Sequence, residues 1–191
     1  ISNHSSGKMG FALAKAALEL GATVNLISGP VSLSAPEGAT LFPIESARDM
    51  LNAALQLAPQ SDVFIGCAAV ADYRAATIAE HKIKKQGDEI TLTMVKNPDV
   101  IAHVAALKEN RPYTVGFAAE TQDIQQYAQA KLKNKNLDMI CANDVSVEGL
   151  GFNANDNALS LFWSDDCLNL PTTSKQQLAM QVMHALSKRL S

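Results

Sequence analysis

Apolar runs and helix-spaced apolar residues alternate along most of the chain. From Phe11 to Leu20 the apolar residues, mostly alanine and leucine, predict a helix that stops at Gly21. Ala22 to Ile27 predicts a strand closed by Ser28-Gly29-Pro30, and Phe42 to Ile44 a short second strand. A helix is expected over Ser46–Leu57, with Glu45 or Ser46 near its cap. Val63 to Ala68 is small and apolar throughout, without alternation, the pattern of a strand buried on both faces.

The middle of the chain is patterned differently. Tyr73 to Gly87 has little apolar periodicity and reads as an exposed loop. Ile90, Leu92 and Met94 alternate within Glu89–Val95, a strand with one wet face. Asn97-Pro98 introduces a helix over Asp99–Leu107, with the proline near its first turn. Regular alternation then resumes. Strands are expected over Tyr113–Ala118, Leu137–Ala142 and Leu159–Trp163, and helices over Ile124–Lys135 and Ser174–Leu190. Gly149–Asn157 is the best surface-loop candidate. This order predicts an α/β fold, a doubly wound and mostly parallel sheet with helices on both faces, as one domain over residues 1–191. In such sheets ligands bind at the carboxyl ends of the strands.

Composition narrows the class. A chain of 191 residues with 47% hydrophobic and 18% charged residues can bury a full core. The net charge of -3 gives no support to nucleic acid as the main partner. No apolar run reaches the length of a membrane span, and the start does not resemble a signal peptide. Cys67, Cys141 and Cys167 lack metal spacing and are expected to be reduced, in a cytoplasmic protein. With no initiating Met and no strand before the first loop, the sequence reads as the body of something longer.

Candidate chemistry follows the strand ends. Ser2-Asn3-His4-Ser5-Ser6-Gly7-Lys8-Met9-Gly10 combines hydroxyls, glycines and a lysine just before a helix, a composition suited to a phosphate chain. The same residues could form only a tight turn, and the full glycine triplet of a dinucleotide fingerprint is absent. Asn3 could cap a turn, or its amide could serve the carbonyl of an activated acyl group. Gly66 to Tyr73 places small residues at a strand end, where Asp72 could cap a helix or accept hydrogen bonds from a substrate. Lys82-Ile83-Lys84-Lys85 is either a solvated face or a flap carrying cations over a polyphosphate. Gly116 to Thr121 ends another strand, and Lys131 and Lys135 share a helix face. The histidines are scattered and form no triad or metal set.

These segments, with Lys96-Asn97-Pro98-Asp99 and Ala142-Asn143-Asp144, occur in an order that resembles the bacterial phosphopantothenoylcysteine synthetases. These are the C-terminal half of the bifunctional coenzyme A biosynthesis proteins. The resemblance runs over almost all of the chain. It implies a ligase that uses CTP to convert 4′-phosphopantothenate into an acyl-cytidylate, which the amine of L-cysteine then attacks. It implies catalytic roles for Asn3, at the acyl-cytidylate carbonyl, and for Lys82, on the flap. Ser5, Gly7, Gly10, Phe117 and Asn143 would bind the triphosphate. Gly66, Cys67, Ala68, Ala69 and Asp72 would hold the cytidine and pantothenate region. Pro98, Asp99, Val100, Ile101, Lys131 and Lys135 would complete the nucleotide site. Mg²⁺ would arrive with CTP, without an assigned side-chain ligand. FMN would belong only to a fused decarboxylase domain outside this sequence. The resemblance also implies a Rossmann-like fold and a homodimer, with the flap and a small dimerisation extension inside residues 73–115. Family members have a strand and loop ahead of the position of Ile1, and a flap a few residues longer after Lys85.

The rival enzyme class is an NAD(P)-dependent reductase on the same kind of sheet. That class needs a fuller glycine fingerprint and an acid after the second strand, where Ser28-Gly29-Pro30 stands. A non-catalytic nucleotide-binding module is the other rival, and Asn3 and Lys82 discriminate it.

Overall fold

The computed structural model describes residues 5–79, 81–84, 87, 89–120, 122–144 and 156–190. Helix α1 (Lys8–Glu19) leads into β1 (Asn25–Ser28) and β2 (Thr40–Pro43), which pair in parallel. Then come α2 (Ala47–Leu57) and β3 (Val63–Gly66). A two-stranded antiparallel ribbon of β4 (Tyr73–Ala75) and β5 (Met94–Lys96) stands apart from the main sheet. Helix α3 (Val100–Ala105), β6 (Tyr113–Glu120), α4 (Ile124–Asn134) and β7 (Met139–Asp144) continue the α/β alternation. The chain closes with β8 (Asp156–Phe162), β9 (Cys167–Ser174) and α5 (Lys175–Leu190).

The main sheet has the order β3-β6-β7-β8-β9. β3, β6 and β7 are mutually parallel, β8 is antiparallel to β7, and β9 is antiparallel to β8. Every strand but β8 therefore runs the same way, so the sheet is mostly parallel as expected. Side-chain alternation splits it into two faces. Cys67, Val115, Phe117, Met139 and Cys141 pack with Leu13 of α1 and Leu178 and Val182 of α5. Ala118, Ile140 and Ala142 pack on the other face with Ile101 of α3 and Leu132 of α4, while α2 and α3 meet through Ala54 and Val104.

Local chemistry explains several boundaries. Ser46 caps α2: its hydroxyl accepts the Asp49 amide hydrogen at 3.1 Å, and the Asp49 carboxylate accepts the Ser46 amide hydrogen at 2.9 Å. Gly66 and Gly116 are small because α3 and the turn before β7 press on the sheet there. A Cβ on Gly66 would stand 2.8 Å from Ile101 Cδ1, and one on Gly116 would stand 2.7 Å from Leu137 Cδ1. At the opposite edge Arg111 joins three elements. Its guanidinium donates to the carbonyls of Ala105 and Asn136 and pairs with Asp138 Oδ2 at 2.8 Å. Asp138 Oδ2 also accepts the Thr114 amide hydrogen at 2.7 Å.

The structure corrects four expectations. β3 is only half-buried because it forms an edge of the five-stranded sheet. Tyr73 begins a strand rather than a loop. The strand expected over Glu89–Val95 is confined to Met94–Lys96, because β4 offers only three residues to pair with. β9 lies where no strand was expected; it follows a tight turn after β8 and buries little beyond Leu170. The surface loop expected over Gly149–Asn157 lies mostly outside the described residues.

Candidate active site

The carboxyl edge of the sheet gathers most of the candidate residues. α1 starts there. Gly7, its N-cap, has φ 75°, a left-handed conformation that favours glycine, and a Cβ would meet Val31 Cγ1 at 3.2 Å. Val31 follows the end of β1, so the loop before α1 lies against the carboxyl end of that strand. Gly7 itself offers no side-chain cap, and the Lys8 amide donates to Ser6 Oγ over a long 3.5 Å. The first-turn amides of a helix have no intrahelical partner, so those of Met9 and Gly10 suit an anion. Around Gly10, no described heavy atom lies within 4 Å of a Cβ position. Ser5 precedes this start and is half-buried.

The segment after β3 is tied to the start of α3. Asn97 does the tying: its backbone N–H donates to the Asp72 carbonyl at 2.7 Å and its side-chain amide to the Ala71 carbonyl at 2.8 Å. Arg74 donates to Asn97 Oδ1 at 3.2 Å. Asp72 is exposed and precedes a strand, so the helix-cap alternative fails for it. Ala68 is exposed, while Cys67 and Ala69 are half-buried. Cys67 packs against the core, and burial pushes its thiol up to about 12, which disfavours the thiolate that a nucleophile needs. Gly66 could still offer its backbone to a ligand, but Ile101 fills the space its missing side chain leaves.

Asp99 caps α3, accepting the Ala102 amide hydrogen at 3.2 Å, and pairs with Lys135 Nζ at 2.8 Å. Two residues expected to serve the nucleotide thus hold one another in this structure, and a ligand contact by Lys135 would require it to change partner. Pro98 and Ile101 are half-buried and Val100 is buried; Ile101 packs into the sheet. Lys131 lies one turn before Lys135 on α4 and is half-buried. Burial pushes the Asp99 carboxyl up, but the bonds from Lys135 and Ala102 outweigh it and leave the group below the usual range. A lowered folded-state pKa stabilises the fold above the unfolded value and is lost as pH falls through the folded one. The α3–α4 link should therefore persist at neutral pH and vanish only in acid, below about pH 4. Urea titrations of wild type and Asp99→Asn should differ at neutral pH and converge in acid; a constant offset would count against this link.

Phe117, near the end of β6, packs on the α1/α5 face. Asn143 follows Cys141 by two residues on the same strand and so shares that face. Its Oδ1 is buried and receives no hydrogen bond among the described residues. Such an acceptor is costly unless a ligand or water serves it. Lys82 is exposed and makes no hydrogen bond or ion pair among the described residues, so the structure does not bring it against the edge. Asn3 lies outside the described residues, as do Ser2, His4, Lys85 and Thr121. Among the described residues no three His, Cys, Asp or Glu converge as metal ligands, and no helix is long and apolar enough to cross a membrane.

One feature of this edge escaped the sequence reading: Asn97, whose Asn-Pro pair signals only a turn. The nicotinamide-reductase reading gains no support: β1 ends at Ser28, and the residues after it carry no acid to hold a ribose.

Comparison with known proteins identifies the family. The family model described as DNA/pantothenate metabolism flavoprotein C-terminal domain matches residues 1–190. The chain is 60% identical over 192 aligned positions to the coenzyme A biosynthesis bifunctional protein CoaBC of Vibrio cholerae, covering 100% of this chain and 48% of that protein. It is 55% identical to the CoaBC protein of Escherichia coli K12, covering 99% of this chain and 47% of that one. The chain thus spans about half the length of the curated relatives it matches. A solved C-terminal domain of a CoaBC protein superposes with a TM-score of 0.83 at 34% identity, over 100% of this chain and 86% of that one. A Cab2 mutant in complex with phosphopantothenate-cysteine shares the fold, with a TM-score of 0.73 at 16% identity, over 98% of this chain and 80% of the other. The family match over residues 1–190, with relatives of this identity, shows that the chain belongs to the DNA/pantothenate metabolism flavoprotein C-terminal domain family.

Proposed function

We propose that this chain is a CTP-dependent phosphopantothenate–cysteine ligase. The observation that carries the reading is the convergence of the α1 start, the ends of β6 and β7 and the capped start of α3 on one sheet edge. In the first step a carboxylate oxygen of 4′-phosphopantothenate attacks the α-phosphorus of CTP. The bond to the β-phosphate breaks and pyrophosphate leaves. In the second step the cysteine amine attacks the acyl carbonyl, an amide forms, and CMP leaves. The reactants of the first step are anions, so much of the catalysis is positioning and charge neutralisation.

The amides at the start of α1 supply donors for phosphate oxygens, with Ser5, Gly7 and Gly10 keeping the approach open. Phe117 and Asn143 line the face beneath them. Cys67, Ala68, Ala69 and Asp72 border the cytidine and pantothenate region. Lys82 delivers a cation to the pyrophosphate as it leaves, joined by Lys131 and, once it leaves Asp99, Lys135. Mg²⁺ arriving with CTP would offset part of the triphosphate charge, with no side chain of this chain assigned to hold it.

The deciding assay is pyrophosphate release from CTP in the presence of phosphopantothenate with cysteine withheld. Release that depends on both reactants supports the ligase; its absence, with a thermal shift from NADPH instead, would overturn it. Asn3→Asp should let the acyl-cytidylate accumulate, because a carboxylate cannot donate to its carbonyl and repels nearby phosphate. Trapping the intermediate by mass spectrometry checks this, and unimpaired turnover in the variant would refute the role.

The β4–β5 ribbon supports a homodimer. It leaves Ile78 at 87%, Ile90 at 66% and Leu92 at 57% exposure on one extension of the chain. An apolar surface of this kind is expected to be covered, and a second copy of the same ribbon is the occupant proposed. Sedimentation at low micromolar protein should give a dimer, and Leu92→Glu should shift it to monomer. A clean monomer for the wild type would sink the assignment.

A further inference from the structure

Asp72 is exposed, and its carboxylate makes no hydrogen bond or ion pair among the described residues, so its direction depends on its backbone. One residue holds both peptide groups that flank the Asp72 Cα. The Asn97 N–H donates to the Asp72 carbonyl at 2.7 Å, and the Asn97 side-chain amide donates to the Ala71 carbonyl at 2.8 Å. The first bond adds a rung to the β4–β5 ladder, in which Tyr73 faces Lys96. The second reaches one residue beyond that rung.

The amide can point only one way. Arg74 Nη1 donates to Asn97 Oδ1 at 3.2 Å and to the Lys96 carbonyl at 2.7 Å. A guanidinium only donates and a carbonyl only accepts, so Oδ1 must face Arg74 and Nδ2 must face Ala71. Pro98 stiffens Asn97 further by disfavouring helical backbone there. Directly after it, Asp99 caps α3 and pairs with Lys135 of α4 at 2.8 Å. Asn97 therefore joins the loop after β3 to the start of α3.

We propose that Asn97 is a positioning residue for CTP, acting through Asp72. The inference rests on the ligase reading. That reading gives Asp72 to the cytidine and pantothenate region and the start of α3 to the nucleotide, and CTP is the reactant that reaches both. Cytidine carries the donors a carboxylate needs, the exocyclic amino group of the base and the ribose hydroxyls. Asn97 touches no reacting atom; it sets where the acceptor stands.

Steady-state kinetics on Asn97→Ala, Asn97→Asp, Asp72→Asn and the double variant Asn97→Ala with Asp72→Asn tests this. Asn97→Ala should raise KM for CTP about tenfold, the scale of one hydrogen bond to a charged group. KM for phosphopantothenate and for cysteine should stay within about twofold of wild type. Asn97→Asp should match it, because a carboxylate still accepts from Arg74 but cannot donate to Ala71. Agreement between an uncharged and a charged replacement separates lost positioning from repulsion of phosphate. If Asn97 acts through Asp72, the double variant should have a KM for CTP within about twofold of Asp72→Asn alone, whereas independent roles would multiply the two losses. Wild-type KM for CTP in either Asn97 variant, an equal rise for all three reactants, no effect of Asp72→Asn, or multiplied losses in the double variant would each overturn the proposal. If Asn97→Ala does not fold, the double variant is made with Asn97→Asp. Failure of the ligase reading would show separately, as no pyrophosphate release by the wild type, and the inference would fall with it.

Discussion

Lys82→Gln should slow acyl-cytidylate formation by roughly two to three orders of magnitude, the range seen when a donor aimed at developing negative charge is removed. The expectation rests on charge. In the proposed reaction negative charge would build, as pyrophosphate leaves, on an oxygen already surrounded by anions, and a cation carried in by the proposed flap would act on that state more than on bound CTP. Glutamine keeps the length and polarity but not the charge. Because Lys82 is exposed and makes no bond among the described residues, the substitution should leave stability within about 0.5 kcal/mol of wild type. The loss should therefore fall on the rate constant, with little change in CTP affinity. Rapid-quench measurement of the first pyrophosphate turnover, cysteine withheld, reads this directly. A wild-type rate would remove Lys82 from the chemistry, and a matching loss in CTP affinity would make it a ground-state binder instead.

The order of helices and strands was legible because most core positions repeat at one period or the other. α1, α2, α4 and α5 carry helical spacing, and β6 and β7 carry the unbroken apolar runs of strands covered on both faces. Elements that bury little were hard to read. β9 contains Asn169, Pro171, Thr172 and Thr173 and buries mainly Leu170, so its alternation is faint. Around Glu89–Val95 the fault was the reverse: Ile90 and Leu92 alternate cleanly, yet among the described residues no strand pairs with them. Their pattern reports a surface rather than an internal sheet.

The site was legible for the same topological reason. Parallel strands deliver their following residues to one edge, so Gly66–Asp72, Phe117 and Asn143 could be grouped before any distance was known. Charge partners could not. Nothing in the spacing of Asp99 and Lys135 indicates that they hold each other at 2.8 Å.

Alanine at the glycines before and within the first turn of α1 should change stability in opposite directions. Gly10 is helical, and no described atom lies within 4 Å of its Cβ position. Alanine there removes a backbone entropy cost of up to about 1 kcal/mol. In a chain of this size that should raise the melting temperature by about 2–4 °C. The same methyl group would stand beside the amides proposed to receive phosphate, so CTP affinity should fall by about tenfold or more, equivalent to roughly 1.4 kcal/mol. Gly7 has no such compensation. At φ 75° an alanine is strained by about 1–2 kcal/mol, and its Cβ would also press on Val31 Cγ1 at 3.2 Å. Gly7→Ala should therefore lose both stability and CTP affinity. Melting curves without ligand, paired with calorimetric titration of CTP, separate the two substitutions. Undiminished CTP affinity in a stabilised Gly10→Ala protein would mean that the triphosphate does not come to this helix start.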